Sequence, residues 1–218
     1  MAIKKSQQGF TLIEMLVVIA IFAVVSTVLL FHYSDFSTNV GVANLAEEIG
    51  LSIRKAQTYA TSVRSIDGTD SVMSDMFPAY GISFSVNATS SKLYDPTASG
   101  FVLFADAVPS GQTTNDDIYE NNGTCGNPAV GSECVENFGI TGGNVITSLC
   151  TGTDSGDNCD NKTVNVVFRR PDPDAVICVP DGLGGCGPAV SDLKVTVQSV
   201  KGITHVITVW NTGQISIN

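Results

Sequence analysis

A single carboxylate, Glu14, lies near the start of the longest apolar run in the chain. From Phe10 to Phe31, 18 of the 22 residues are apolar, and no basic residue lies among them. A charged side chain inside hydrocarbon costs several kcal/mol even after the membrane adapts around it. A nearby positive charge would favour the ionised carboxylate. The chemistry that this position indicates is therefore charge pairing.

Cleavage of the chain after Gly9 would create such a positive charge. The new α-amino group on Phe10 would lie four residues before Glu14, a spacing at which groups meet on a helix. In a bundle of staggered helices, the carboxylate of one subunit could instead meet the amine of the next and fix the register. Two alternatives fit the sequence less well, and the second of them leaves the carboxylate of Glu14 unexplained. A conventional secretory signal has a shorter apolar core, and a plain signal anchor keeps its leader.

Six cysteines form a second set of residues with reactive side chains. They fall into three neighbouring pairs with eight, eight and seven residues between the partners, a spacing wider than that of a zinc knuckle. An even number of cysteines behind a membrane-targeting segment predicts disulfides in an oxidising compartment. Many connectivities are open, of which sequential pairing is the simplest, and six reduced buried cysteines are the alternative. The cysteines are Cys125, Cys134, Cys150, Cys159, Cys178 and Cys186.

Three aspartates in the stretch TDSGDNCDN, namely Asp154, Asp157 and Asp160, form a weak candidate for a calcium site. Hard oxygen ligands in a glycine-containing loop suit calcium, but the EF-hand pattern is missing and a solvated acidic loop is the commoner explanation of such residues. We therefore predict no cofactor, with calcium as the one candidate.

Enzymatic and nucleic-acid functions are not favoured by the sequence. The two histidines, His32 and His205, are far apart and neither has the partners of a catalytic pair. The formal net charge is −10, whereas phosphate binding requires clustered Lys and Arg. We expect a protein that is not an enzyme and does not bind nucleic acid.

The stretch GFTLIE, from Gly9 to Glu14, follows a leader that contains Lys4 and Lys5 and precedes the long apolar run. This arrangement resembles the class III signal of type IV pilins and of the pseudopilins of type II secretion. The resemblance implies that a prepilin peptidase cleaves after Gly9 and methylates the amine of Phe10. It also implies that Glu14 guides assembly.

The same resemblance implies the partners and the location of the chain. The partners would be other pilin or pseudopilin subunits, the prepilin peptidase, an assembly ATPase and an inner-membrane platform. Basic residues ahead of the span predict a cytoplasmic N-terminus and an extracytoplasmic head in the inner membrane, before a filament forms in the periplasm or outside the cell.

Two features favour a minor subunit. Many major pilins have a proline where this chain has Phe31, and the acidic region described below is large. The final stretch WNTGQISIN is similar to the minor H-type branch of pseudopilins. The alternatives are a major pilin and a membrane-anchored binding protein that never polymerises.

The elements that would carry these residues follow from hydrophobic periodicity. An apolar stripe predicts that an amphipathic helix continues outward from the membrane span, with a kink near residues 37–41. We predict a leader at 1–9, a transmembrane and filament-core helix at 10–31, an amphipathic helix at 32–66, and a β-rich head at 67–218. The stripe consists of Val42, Leu45, Ile49, Ile53, Ala56, Ala60 and Val63.

Alternating apolar residues predict seven strands in the head, so we expect an α+β fold with the helix packed on an antiparallel sheet. The region 106–163 is acidic, rich in glycine and cysteine, and lacks clear periodicity, so we expect a long loop there. The predicted strands are 79–86, 100–105, 163–169, 175–179, 193–200, 203–210 and 214–217.

Overall fold

The computed structural model describes residues 9–62, 78–86, 100–106, 116–119, 125, 133–153, 156–182 and 184–218, without the side chains of 31–35. The chain forms two compact units, Met1–Val40 and Gly41–Asn218. The leader lysines Lys4 and Lys5, the end of the predicted helix beyond residue 62, and Asp154 lie outside the described residues.

One helix, α1, extends from Leu12 to Thr61. It is continuous through residues 32–41, so the predicted join between the apolar and amphipathic segments is helical. The amphipathic stripe is confirmed, because its described members from Val42 to Ala60 are all buried. The intervening positions Glu47, Glu48 and Arg54 are exposed, as expected for one apolar face on a surface helix.

In the described residues, ten strands form two five-stranded antiparallel sheets. The first sheet has the order β3-β2-β1-β6-β7 and the second the order β10-β9-β8-β4-β5. The strands are β1 Ala79–Ser85, β2 Gly100–Asp106, β3 Cys134–Gly139, β4 Val145–Thr153, β5 Gly156–Asn158, β6 Thr163–Phe168, β7 Ala175–Cys178, β8 Asp192–Gln198, β9 Thr204–Trp210 and β10 Ile215–Ile217.

An apolar core joins the buried face of α1 to side chains from both sheets, and a second, smaller apolar cluster on the first sheet includes Phe104 and Val167. Phe84 and Phe168 of the first sheet, Ile49 of α1 and Leu193 of the second are fully buried in the larger core. Two polar contacts hold the helix at the rim of this core. Lys55 forms an ion pair with Glu136 of β3, and Gln57 donates to the carbonyl of Pro173 at 2.9 Å.

The α+β fold with a helix on antiparallel β structure is confirmed, and all seven predicted strands are present. The prediction of one sheet is wrong, because the strands divide into two. The prediction of a long loop at 106–163 is also wrong for much of its described part, which contains β3, β4 and β5.

The three missed strands have weak apolar patterns for physical reasons. β3 and β5 are edge strands, where polar residues are tolerated because only one neighbour is present. In β4 the pairing with β8 shifts between Ile146 and Ser148, so an irregularity interrupts the alternation.

Candidate functional site: the N-terminal segment

The peptide bond between Gly9 and Phe10 lies in a non-helical stretch directly before α1. The Phe10 side chain is 79% exposed. A Cβ added at Gly9 would meet nothing within 4 Å. Exposed backbone next to the end of an element is the kind of site that proteases cleave.

The start of α1 is encoded locally by Thr11. Its hydroxyl oxygen accepts a hydrogen bond from the backbone N–H of Glu14 at 3.3 Å, and its carbonyl accepts the first helical bond from Met15 at 3.2 Å. Thr11 is therefore the N-cap, and Glu14 occupies the third helical position of a Thr-x-x-Glu capping sequence. A carboxylate in the first turn is also stabilised by the positive end of the helix dipole. This role of Thr11 was not predicted, although the Thr-x-x-Glu pattern in the sequence indicates it.

The first part of α1 is long and apolar enough to cross a membrane. Among the described residues, one segment meets this condition, Leu12–Leu30, with 19 residues and a mean hydropathy of 2.7. At ~1.5 Å per residue it spans about 28 Å, close to the thickness of a bilayer core. The Thr27 hydroxyl donates to the carbonyl of Ala23 at 2.8 Å, so this polar group is satisfied within the helix.

A comparison with protein families identifies this segment. Residues 4–30 match the model of the prokaryotic N-terminal methylation motif. The segment is a class III signal, characteristic of type IV pilins and pseudopilins. No curated protein and no solved structure matches the chain.

The rest of the chain, which follows this signal, has an α+β architecture. Gly9, Phe10 and Glu14 all lie within the matched residues, as do Lys4 and Lys5. The signal and the apolar helix fit a membrane-anchored chain with an extracellular head, processed by a prepilin peptidase.

The six cysteines form three disulfides between sequence neighbours, which is the simplest of the connectivities that the sequence allows. Each bond fastens a strand to an adjoining segment. The second closes the β4–β5 hairpin, and the third joins the end of β7 to the bridge between Pro180 and Cys186. Disulfides that close short loops of this kind stabilise the folded state mainly by restricting the conformations of the unfolded chain. The bonds are Cys125–Cys134, Cys150–Cys159 and Cys178–Cys186.

The two described aspartates of the candidate calcium site, Asp157 and Asp160, do not lie together in a group that could hold a metal ion. Asp157 forms an ion pair with Lys194 at 2.5 Å, and Asp160 is exposed after β5. In the described part of the chain, no group of three His, Cys, Asp or Glu could hold a metal ion. The neighbouring Asn161 has a structural role, since its amide donates to the Leu149 carbonyl at 3.2 Å.

A buried acidic cluster in the head was not predicted from the sequence. Asp106, at the end of β2, is 1% exposed, and its carboxylate accepts the backbone N–H of Asp117 at 3.2 Å. Asp117 has a φ of 60° and a carboxylate held by both Nε and Nη2 of Arg169. Burial, followed by the charges of Asp117 and Asp116, raises the pKa of Asp106 to about 7.

Proposed function

We propose that this chain is a prepilin that is cleaved between Gly9 and Phe10, methylated at Phe10 and assembled through α1 into a type IV pilus or a type II secretion pseudopilus. The observation that carries this proposal is the match of residues 4–30 to the methylation motif. The exposed, non-helical peptide bond directly before a capped apolar helix supports it.

Glu14 acts as the assembly residue in this proposal. Loss of the leader removes Lys4 and Lys5 and leaves one positive charge at the new N-terminus, one helical turn before the carboxylate. Inside a bundle of apolar helices, that amine and a Glu14 carboxylate of a neighbouring subunit attract each other strongly, because the dielectric constant is low. A helix that packs at a different axial position leaves both charges unpaired, so the charge pair selects one axial register.

The apolar segment serves first as the membrane anchor and then as the lateral packing surface of the filament. Its large side chains from Phe10 to Leu30 are about half exposed or more in the single chain, so neighbouring helices can replace lipid around them. Extraction from the inner membrane would be driven by the assembly ATPase through its platform.

Whether the chain is a major or a minor subunit is defined by its copy number in the filament. The missing proline at Phe31 supports a minor subunit. The size of the acidic region supports it less directly, because β3, β4 and β5 belong to the two sheets. A gel of sheared filaments distinguishes the two cases, since a major subunit dominates the gel and a minor one is barely visible.

Mass spectrometry of the N-terminal peptide, from protein isolated from its own host, tests the processing. We expect a peptide that begins at Phe10 and carries one added methyl group. A peptide that retains Lys4 and Lys5, in a host that processes its other prepilins, would show an uncleaved signal anchor and refute the proposal.

The variants Glu14→Ala and Glu14→Gln test the assembly role separately from processing. Both should insert in the membrane and be cleaved, but be poorly represented in sheared filaments, because neither side chain is charged. The control Asp174→Asn removes an exposed carboxylate from the head and should assemble normally. Wild-type incorporation of Glu14→Ala would leave a binding protein anchored in the membrane as the better explanation.

A further inference from the structure

An open groove of about 450 Å³ lies between α1 and β3 in the Gly41–Asn218 unit. Its most exposed apolar side chain is Leu51, which is 64% exposed on the outer face of the helix. Phe138 forms the opposite wall and is fixed there, because its ring stacks on Phe101 with centroids 4.7 Å apart. The side chains that line the groove include Asn44, Glu47, Glu48, Leu51, Lys55 and Phe138.

The groove is acidic as well as apolar. Its lysine, Lys55, is engaged by Glu136 of β3, an ion pair that raises the pKa of Lys55 and neutralises both charges. The other two charges, on Glu47 and Glu48, lie exposed on α1 beside Leu51. A segment that fills this groove should therefore present an aliphatic side chain next to a positive charge.

The turn between β8 and β9 of this chain has those properties. Val200 is 69% exposed, and Lys201 follows it. The turn is rigid, because Ser199 donates to the Ile203 carbonyl at 2.9 Å and Gly202 donates to the Ser199 carbonyl at 2.9 Å.

The aliphatic surface of the turn extends onto β4. A Cβ at Gly143 would lie 2.5 Å from Val200 Cγ1, so the valine side chain rests on this glycine. Val145, which begins β4, is 39% exposed and pairs with the end of β8. We call Val145, Val200 and Lys201 the β8–β9 knob.

We propose that the β8–β9 knob of one copy of this chain docks in the α1–β3 groove of a neighbouring copy. The described large apolar side chains exposed in the Gly41–Asn218 unit are Leu51, Val145, Val176 and Val200. One is in the groove and two are in the knob, so docking would cover three of these four. It would also bring Lys201 to Glu47 and Glu48.

The positions of the knob and the groove along α1 fit neighbours that are displaced axially. The knob adjoins Asn144, whose amide lies 3.7 Å from a Cβ built at Gly41. The groove centres near Glu48, seven residues further along the helix. At ~1.5 Å per residue, a copy shifted by about 10 Å along α1 brings its knob level with the groove.

The contact joins two different surfaces, so it is heterologous and leaves a free knob and a free groove at opposite ends. Repetition of such a contact with an axial displacement builds an open helical assembly. The inference rests on the proposed filament function and requires that at least two copies of this chain, whether it is a major or a minor subunit, occupy adjacent positions in the filament.

Disulfide trapping in sheared filaments of the full chain tests the contact. Two differently tagged chains, Leu51→Cys and Val200→Cys, are produced together in the host and then separately. We expect a mixed-tag dimer on a non-reducing gel when the two variants are present together, and none when either is alone. The control pair combines Leu51→Cys with Val176→Cys, which places the second thiol on β7.

Each other outcome overturns the inference. A dimer of Leu51→Cys alone would show a symmetric contact, and a dimer of equal yield with Val176→Cys would show random collisions. Filaments that contain both variants but no dimer would show that the knob and the groove are apart. Absence of the wild-type chain from filaments would instead refute the proposed function.

A second measurement avoids added thiols. Leu51→Asp and Val200→Asp should each lower the amount of chain in sheared filaments, whereas Val176→Asp should not. Because all three side chains are exposed, the head should fold in every variant. Normal incorporation of both groove and knob variants would overturn the inference.

Discussion

Replacement of Asp106 by Asn should stabilise the head at neutral pH. The carboxyl group is 1% exposed at the end of β2 and faces the carboxylates of Asp117 and Asp116. The N–H of Asp117 and the charge of Arg169 favour its ionised form, but burial and the two acidic neighbours outweigh them and raise its pKa from 3.8 to about 7. Asparagine keeps an oxygen that can accept the Asp117 N–H and removes the charge.

The direction of the pH dependence follows from the raised pKa. The folded chain binds the proton of Asp106 more tightly than the unfolded chain does. Protonation of Asp106 therefore contributes fully to the unfolding free energy below pH 3.8, and this contribution is lost as the pH rises through about 7. The difference between the two pKa values corresponds to about 4 kcal/mol of unfolding free energy. Local rearrangement will reduce this figure, and we expect Asp106→Asn to gain about 1–4 kcal/mol at pH 8 and little at pH 4.

Urea unfolding of the oxidised, detergent-solubilised chain measures this difference. The chain has one tryptophan, Trp210 of β9, whose fluorescence reports on the head. Subtracting the wild-type unfolding free energy from that of the variant at each pH cancels the other titrating groups. The control Asp160→Asn removes an exposed carboxylate and should show no trend of this kind.

Two results would refute the reasoning. A difference between Asp106→Asn and the wild type that stays constant from pH 4 to pH 8 would show that the buried carboxyl does not bind its proton more tightly in the folded chain. A variant that is less stable at pH 8 would show that Asp106 is needed as an anion.

Two further substitutions test the contacts of the head by the same assay. Arg169→Ala leaves the buried carboxylate of Asp117 without its guanidinium and should lower the unfolding free energy by about 2 kcal/mol. This is less than for a fully buried pair, because the arginine side chain is 49% exposed. The control Arg54→Ala, at an exposed position, should change the unfolding free energy little, and equal losses in both variants would contradict the role of the Asp117–Arg169 pair. Gly213→Ala should lower the unfolding free energy by about 2–4 kcal/mol, because φ is +77° and the new Cβ would lie 2.2 Å from the Pro173 carbonyl oxygen. An unfolding free energy equal to that of the wild type would show that the turn can rearrange.

The sequence alone determined the features that depend on residues close together in the chain. The class III signal is one of these, since the residues that match the methylation motif and the apolar run of the candidate span all lie within the first 31 residues. The amphipathic helix is another, because burial of one helix face imposes a period that single residues such as Ile49 and Ile53 reveal.

Strands buried on both sides or paired in the middle of a sheet were also predictable. β1, β6, β8 and β9 each have two neighbouring strands, and their β-branched and aromatic residues follow from burial within the sheet. The edge strands β3 and β5 were missed, because a strand with one partner does not need an apolar pattern, whereas the edge strands β7 and β10 have apolar residues and were predicted. The internal strand β4 was missed because its pairing with β8 is irregular.

Tertiary structure alone decided which distant residues meet. The pairing of Asp117 with Arg169 and its contact with Asp106 depend on the order of strands in the first sheet, and no local pattern marks any of the three. The same is true of the groove, whose walls Leu51 and Phe138 are 87 positions apart in the sequence. Local periodicity encodes which face of an element is buried, whereas the partner of that face is selected by the packing of the whole head.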